Sequence, residues 1–279
     1  MVLPVLVAAT LLLTPRGAQG QILDKVLDAG EKASKVAGKV QSALPIGTEE
    51  EIDIGRGVAA TVAGYYKLDR DPDLTEYLNL VGLAVAASDA RPDIRYRFGV
   101  LDTDQVNAIS APGGYIFVTR GALALMDDEA ELAGVLAHEV GHVNEKHVVN
   151  EIQKRARTEL GADVAQAALK TDAAALDAVV GLGTNILFLG LSREDELEAD
   201  SLGTVYAAQA GYDPQGLLHF VQKLQANESK PFLATLKATH PKPKDRIKLL
   251  ERVSSKTGAG GPPVELADRF MSSTAGVPR

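Results

Sequence analysis

Two histidines four residues apart, His138 and His142, restrict the fold more than any other feature of this 279-residue sequence. On a helix they lie about 40° apart, so both rings can converge on one metal ion. Glu139 points in a neighbouring direction, from which it can reach a metal-bound water without binding the metal. The pattern predicts a helix that carries a metal site, with Glu139 as a general base.

The residues around this motif have the pattern of a long helix. Asp128 and Glu131 form a capping-box pair, and apolar residues at helical spacing follow them, which predicts a helix from about residue 129 to 157. A pair of surface histidines beside a glutamate is the alternative interpretation. The capped and apolar setting favours the metal site.

The composition restricts the chemistry of such a site. The sequence has no cysteine, so a metal must be held by histidine and carboxylate side chains. Its 37 acidic and 29 basic residues give a net charge of −8, and the basic residues form no block. This charge balance argues against nucleic acid as a partner.

A catalytic zinc ion usually has three protein ligands and one open position for water, so a third ligand has to be found. The metzincin pattern would place glycine at position 145 and histidine at position 148, but the chain has Glu145 and Val148 there. His147 would lie about 180° around a straight helix from His138, so ligation by it would need a bent helix. We therefore interpret His147 as a structural residue.

The acidic segment at residues 192–203 contains the remaining candidate. Glu196, Asp200 and Gly203 form one stripe at helical spacing. The small residue would let a second helix approach closely, and Gly141 on the motif helix offers a matching gap. We expect Glu196 to bind the metal and Asp200 to orient a histidine ring. A solvated charged face is the alternative for any acidic run.

The chain is predicted to consist of four parts. Residues 1–20 combine an apolar stretch with small residues, as in a signal peptide, although the basic residues of its start are missing. A buried N-terminal helix is the alternative there. Residues 21–48 have the pattern of an amphipathic helix and a linker, residues 49–253 form the main domain, and residues 254–279 are rich in Ser, Gly and Pro. We expect an exported protein with a flexible C-terminal tail.

Helices dominate the main domain. Residues 95–101 and 114–119 have β-strand patterns, so the predicted fold class is α+β, mainly helical, with a small β-sheet beside the motif helix. An apolar run at residues 179–191 is too short to span a bilayer and predicts a packed helix. Contact with a membrane surface is the alternative for this run.

The pattern of residues 107–119 predicts a strand whose edge can bind an extended peptide. Pro112, Gly113 and Gly114 can form a turn that leads into a strand just before the motif helix. The edge of such a strand can pair with a substrate backbone, which would give a loose sequence preference. An ordinary buried strand is the alternative.

Four motifs together resemble those of peptidase family M48, the gluzincins with a His-Glu-x-x-His helix and a downstream Glu-x-x-x-Asp helix. The motifs are residues 138–142, residues 192–200, residues 107–121 and Thr239-His240-Pro241 with Arg246. They stand in the family's order. The resemblance implies one Zn2+ ion per chain, with His138, His142 and Glu196 as its ligands.

The resemblance also implies roles for residues beyond the ligands. The histidine that corresponds to His240 lies near the metal in this family, where it stabilises the oxyanion or binds zinc and holds the enzyme closed. Arg246 is expected to orient this histidine or to contact the substrate. Asp200, Asn107 and Gly114 are expected to support the ligands or the substrate.

We therefore expect a zinc-dependent endopeptidase that hydrolyses unfolded or extended proteins, with Glu139 and His240 as catalytic residues. The family and the leader imply a periplasmic or cell-envelope location and a role in protein quality control. One alternative is a chaperone-like binding protein that a structural zinc ion stabilises, and another is a zinc hydrolase of a different substrate class. Glu139 argues against the first, because a structural zinc site needs no base.

Overall fold

The computed structural model describes residues 46–88, 91–159, 173–240, 242–258 and 266–279. The predicted signal peptide, the predicted amphipathic helix that follows it and Pro241 lie outside these residues.

Helices make up most of the described chain, and the predicted mainly helical α+β class is confirmed. The helices in chain order are α1 (Thr48–Tyr66), α2 (Pro72–Ala86), α3 (Arg120–Leu125), α4 (Glu129–Asn144), α5 (His147–Glu159), α6 (Ala173–Leu189), α7 (Arg193–Gln209), α8 (Gly216–Ala226), α9 (Ala234–Thr239), α10 (Pro243–Ser254) and α11 (Ala267–Ser273). The strands are β1 (Arg97–Leu101), β2 (Ala108–Ala111) and β3 (Tyr115–Thr119).

The three strands form one sheet in the order β1-β3-β2. β1 runs parallel to β3, and β2 runs antiparallel to it. A short turn at Pro112–Gly114 reverses the chain between β2 and β3. Gly114 has a φ of 84° in this turn, and a Cβ there would lie 2.6 Å from the side chain of Ile94. The turn therefore requires glycine at this position.

The sequence predicts that the strand after the turn has a free edge with which a substrate backbone can pair. This prediction is wrong for β3, because that strand lies in the middle of the sheet. The turn folds the preceding residues back onto β3, so that β2 covers the side of β3 that was expected to be free. β2 is the edge strand that packs against the motif helix α4. A substrate strand next to α4 would have to pair with β2.

The motif helix is shorter than predicted. α4 ends at Asn144, and α5 begins at His147 after Lys146 adopts a left-handed φ of 57°. The prediction of one helix to residue 157 is therefore wrong. The change of direction buries Ile152 against Gly183 of α6, in a core that also contains Val58 of α1.

Two apolar cores lie on opposite faces of the sheet. The larger core contains α2, α4 and α8, and the smaller one contains α1, α5 and α6. Because side chains alternate along a strand, β3 contributes Ile116 and Val118 to the larger core and Phe117 to the smaller one. The sheet and α4 are therefore held by packing on both sides.

Part of the C-terminal segment that was predicted to be a flexible tail forms a packed helix. α11 packs against α2 and α4, and its Phe270 is fully buried. Arg269 Nε donates a hydrogen bond to Glu129 Oε2 at 2.6 Å. The hydroxyl groups of Tyr77 and Tyr212 donate to the same buried carboxylate at 2.9 and 2.7 Å. One buried aromatic ring and one ion pair fix this short helix, although the composition around it is typical of loops.

The apolar run at residues 179–191 lies largely in α6, which packs against α1 and α5 as predicted. Within the described ranges, no helix on its own has the length and apolar character needed to cross a bilayer. Leu176–Leu189 and Arg193–Gln209 meet that criterion only as a pair, and they are bent by 78° relative to each other.

Candidate metal centre

The helices α4 and α7 cross where the sequence places the candidate ligands. α7 begins with a capping box at Ser192. A Cβ on Gly203 would lie 2.7 Å from the backbone nitrogen of His138, so the predicted close approach at Gly203 is confirmed. Gly141 leaves ordinary contact distance, because a Cβ there would lie 3.5 Å from Ala199 Cα.

His138, His142 and Glu196 converge on one point inside the protein. The Nε2 atoms of His138 and His142 are 3.0 Å apart. Glu196 Oε2 lies 3.7 Å from His138 Nε2, and Glu196 Oε1 lies 3.7 Å from His142 Nε2. All three side chains are buried, and Glu196 Oε2 has no hydrogen-bond partner among the described residues.

These three side chains fit a metal ion. A tetrahedral zinc site with bonds of about 2.0 Å spaces its ligand atoms roughly 3.3 Å apart, and the observed separations are 3.0 and 3.7 Å. Burial raises the pKa of Glu196 to about 7 and lowers the pKa of His142 well below its usual value. A cation would satisfy the unpartnered carboxylate oxygen and the neutral imidazole together.

Glu139 lies beside the candidate ligands and is also buried. Burial raises its pKa, while the charge of His138 and a hydrogen bond from the Ser110 hydroxyl act in the opposite direction. A raised pKa suits a group that accepts a proton and later releases it. Ser110 was not among the predicted site residues, and its one signal in the sequence is its place in the strand segment before the motif helix.

Asp200 and Arg246 lie behind His138. Asp200 Oδ1 is 3.0 Å from His138 Nδ1, and Arg246 donates two hydrogen bonds to the Asp200 carboxylate, at 2.9 and 2.6 Å. Burial alone would raise the pKa of Asp200, but the guanidinium charge holds this pKa well below its usual range. The ionised carboxylate can keep the His138 proton on Nδ1 and leave Nε2 for a metal.

His240 approaches the site from the end of α9. Its Nε2 lies 3.7 Å from Glu196 Oε2, and its Nδ1 lies 2.8 Å from Thr239 Oγ1. Burial lowers the pKa of His240 well below its usual value, which favours the neutral ring. Arg246 is predicted to orient this ring or to contact the substrate; the hydrogen bonds of Arg246 described above go to Asp200, and its contact with substrate stays a prediction.

Asn107 and Gly114 have contacts within the sheet. The backbone of Asn107 pairs with Thr119, and its side-chain oxygen is buried with no hydrogen-bond partner in the described ranges. Gly114 forms the turn between β2 and β3. These positions give both residues a part in the shape of the sheet, and their predicted contact with substrate stays a prediction.

His147 lies beside His142 because the chain changes direction between α4 and α5. Its Nδ1 is 2.8 Å from His142 Nδ1, and its Nε2 is 3.3 Å from Glu198 Oε2. A straight helix would have put His147 on the side opposite His138, and no role was predicted for Glu198.

The sequence model of peptidase family M48 matches residues 72–254. The match covers more than half of the chain and includes His138, Glu139, His142 and Glu196. The chain belongs to peptidase family M48. Its matched region is a metalloendopeptidase domain, and its crossing helices α4 and α7 carry the candidate ligands.

Several curated proteases are similar to this M48 chain. It is 28% identical over 239 residues to the beta-barrel assembly-enhancing protease of Escherichia coli (strain K12). The aligned region covers 82% of this chain and 48% of that protein. It is 30% identical over 178 residues to the mitochondrial metalloendopeptidase OMA1 of Schizosaccharomyces pombe. Here the aligned region covers 63% of this chain and 52% of that protein. The chain thus spans about half the length of these relatives.

Proposed function

We propose that this protein is a zinc-dependent endopeptidase that cleaves unfolded or extended polypeptides. The observation that carries this proposal is the buried convergence of His138, His142 and Glu196, with Glu139 beside them. A chaperone-like protein with a structural zinc ion would have no use for Glu139, and burying that carboxylate costs free energy.

Each residue around the site has a separate task in this proposal. Zinc, when bound, supplies a Lewis acid that acidifies water and polarises the scissile carbonyl group. Glu139 takes the proton of the attacking water and passes it to the leaving amine. Asp200, which Arg246 holds, keeps the ring of His138 in the ligating orientation. His240 Nε2 donates a hydrogen bond to the carbonyl oxygen as negative charge develops on it.

The edge strand β2 has backbone groups that can pair with an extended substrate, although its four residues are buried. Hydrogen-bonded and non-hydrogen-bonded pairs alternate along an antiparallel ladder. The bond from Thr119 N to Asn107 O therefore implies that the backbone groups of Ala108 and Ser110 point away from β3. A substrate strand that pairs with these groups would be recognised through hydrogen bonds to its main chain. Such recognition favours substrates of many different sequences.

A cavity of about 140 Å³ adjoins the site. Leu224, Leu233 and Leu236 contribute its apolar lining, and His240 and Arg246 form the wall that it shares with the metal centre. An apolar protein cavity of about 150 Å³ is large enough to hold benzene. This cavity therefore fits one aliphatic or aromatic side chain, of the kind that unfolded polypeptides expose.

The proposed location is the periplasm or cell envelope, and the proposed role is protein quality control. The apolar leader at residues 2–13 supports export. The similarity to a bacterial protease named for beta-barrel assembly, at 28% identity, supports an envelope role.

Degradation of unfolded casein tests the proposed activity. The protein is expected to cut casein at internal bonds, to stop when a chelator removes zinc, and to recover when Zn2+ is added back. Mass spectrometry of the products would identify the cleaved bonds. A zinc-stabilised binding protein would instead retain intact casein, and a hydrolase of another substrate class would bind zinc and leave casein uncut.

Replacement of His240 by alanine is expected to lower turnover by about 10- to 1,000-fold with zinc retained, because one donor to the carbonyl oxygen is lost. This role requires a proton on Nε2, so the Thr239 hydroxyl has to donate to Nδ1 and not to the carbonyl oxygens of Thr235 and Leu236, which each lie 3.2 Å from it. Turnover and bound zinc of the two proteins should be compared on one peptide. Faster turnover would mean that His240 occupies the open zinc position, and unchanged activity and zinc affinity would remove it from the site.

A further inference from the structure

The ring of His142 lies between the metal centre and a second histidine. His142 Nε2 faces His138 Nε2 at 3.0 Å, while His142 Nδ1 lies 2.8 Å from Nδ1 of His147. The other ring nitrogen of His147 lies 3.3 Å from Glu198 Oε2. These atoms form one continuous hydrogen-bonded chain of side chains, from a candidate metal ligand to a carboxylate on α7.

Ligation of a metal fixes the direction of each hydrogen bond in this chain. A neutral imidazole carries one N–H group, so a metal on Nε2 of His142 places the proton of that ring on Nδ1. Nδ1 of His147 must then accept this proton in a hydrogen bond, which places the proton of His147 on Nε2. That N–H group points to the carboxylate of Glu198. Every nitrogen in the chain thus has a defined role.

We propose that His147 is a positioning residue for the zinc site, which accepts a hydrogen bond from His142 and thereby fixes its tautomer and ring orientation. This proposal rests on the proposed zinc site. Asp200 faces Nδ1 of His138 at 3.0 Å, so each histidine ligand has its own supporting group. Such supporting hydrogen bonds raise metal affinity because the ring is held ready for ligation.

The buried ring is expected to contribute more than the carboxylate behind it. His147 is 4% exposed, whereas the side chain of Glu198 is 55% exposed, so solvent screens its charge. Asp195 Oδ1 lies 3.8 Å from the same Nε2 atom, so a second carboxylate stands close to it. Substitution of His147 should therefore have a larger effect than substitution of Glu198.

The change of direction at Lys146 brings His147 to this place. In a continuous helix, His147 would lie about 140° around the axis from His142, and its ring would project away from the metal centre. The left-handed φ of 57° at Lys146 redirects the chain, and Lys146 Nζ lies 3.5 Å from Glu51 Oε2. The short connection between α4 and α5 therefore also shapes the metal centre.

Zinc affinity of the full chain, measured by competition with a chromogenic chelator, tests the proposal without any peptide substrate. His147→Leu removes the acceptor and is expected to weaken zinc binding by about 10- to 100-fold. His147→Gln is expected to recover most of the loss, because its amide oxygen can accept from His142 Nδ1 and its amide nitrogen can donate to Glu198. His147→Ala is a second variant without an acceptor if the leucine variant does not fold.

Val149→Ala is the matched control, because Val149 is buried in the same helix and has an apolar side chain. It should keep the zinc affinity of the unmodified chain. Equal weakening in Val149→Ala, no recovery in His147→Gln, or unchanged affinity in His147→Leu would each overturn the role of His147. If the unmodified protein binds no zinc, the proposed function itself fails. If it binds zinc and the variants give one of the results above, only the role of His147 fails, so the two failures are distinguishable.

Discussion

Replacement of Glu139 by glutamine is expected to slow peptide hydrolysis by about a hundredfold or more, with the fold and the bound zinc retained. The amide has nearly the size of the carboxylate, and it can still accept the hydrogen bond from Ser110. It has no basic oxygen that can take a proton from water. Turnover of a fluorogenic peptide and zinc content per chain should be measured on the same preparations.

Glu194→Gln is the matched control for this substitution, since Glu194 is an exposed glutamate on α7. It is expected to leave turnover unchanged. Near-normal turnover in a zinc-loaded Glu139→Gln protein would refute the role of Glu139 as the base. Loss of zinc from that variant would mean that Glu139 contributes to metal binding itself.

The candidate metal centre could be proposed from the sequence because its motifs are local and together resemble those of one family. The four-residue spacing of His138 and His142, and the stripe of Glu196, Asp200 and Gly203, need only the periodicity of a helix. The small residues of the stripe only allowed a second helix to approach, and the family resemblance implied that Glu196 completes the site; in the structure a side chain at Gly203 would collide with the backbone of His138. Helical spacing and close packing together therefore place the candidate ligands.

Features that depend on distant parts of the chain were not predictable in this way. The change of direction at Lys146 involves neither glycine nor proline, and the core that buries Ile152 includes residues of α1 and α6. The docking of Phe270 depends on α2 and α4, which lie more than a hundred residues earlier in the chain. Local sequence patterns contain no information about such partners.

The partner of Arg246 shows the same limit within the site. Arg246 follows His240 by six residues, and the family resemblance implied that it orients this histidine or contacts the substrate. In the structure the guanidinium group reaches across to α7 and binds Asp200 with two hydrogen bonds. The packing of α10 against α7 decides which carboxylate Arg246 meets, and this packing could not be predicted from the spacing of Arg246 and His240.

Replacement of Glu196 by glutamine is expected to weaken zinc binding by more than about a hundredfold, because loss of a ligand should exceed the 10- to 100-fold cost of losing a supporting group. The carboxylate is buried, both of its oxygens lie 3.7 Å from a nitrogen of a candidate histidine ligand, and Oε2 has no hydrogen-bond partner among the described residues. The neutral amide keeps the shape but provides no charge for the metal. Chelator competition measures the change.

The two other glutamates of α7 separate ligation from a general effect of negative charge. Glu194 is exposed, so Glu194→Gln should bind zinc as tightly as the unmodified chain. Glu198→Gln should have a small effect, because its amide oxygen can still accept the hydrogen bond from His147. If either variant lost as much zinc as Glu196→Gln, Glu196 would not be the third ligand. A selective loss at position 196 would identify the carboxylate that completes the metal site with His138 and His142.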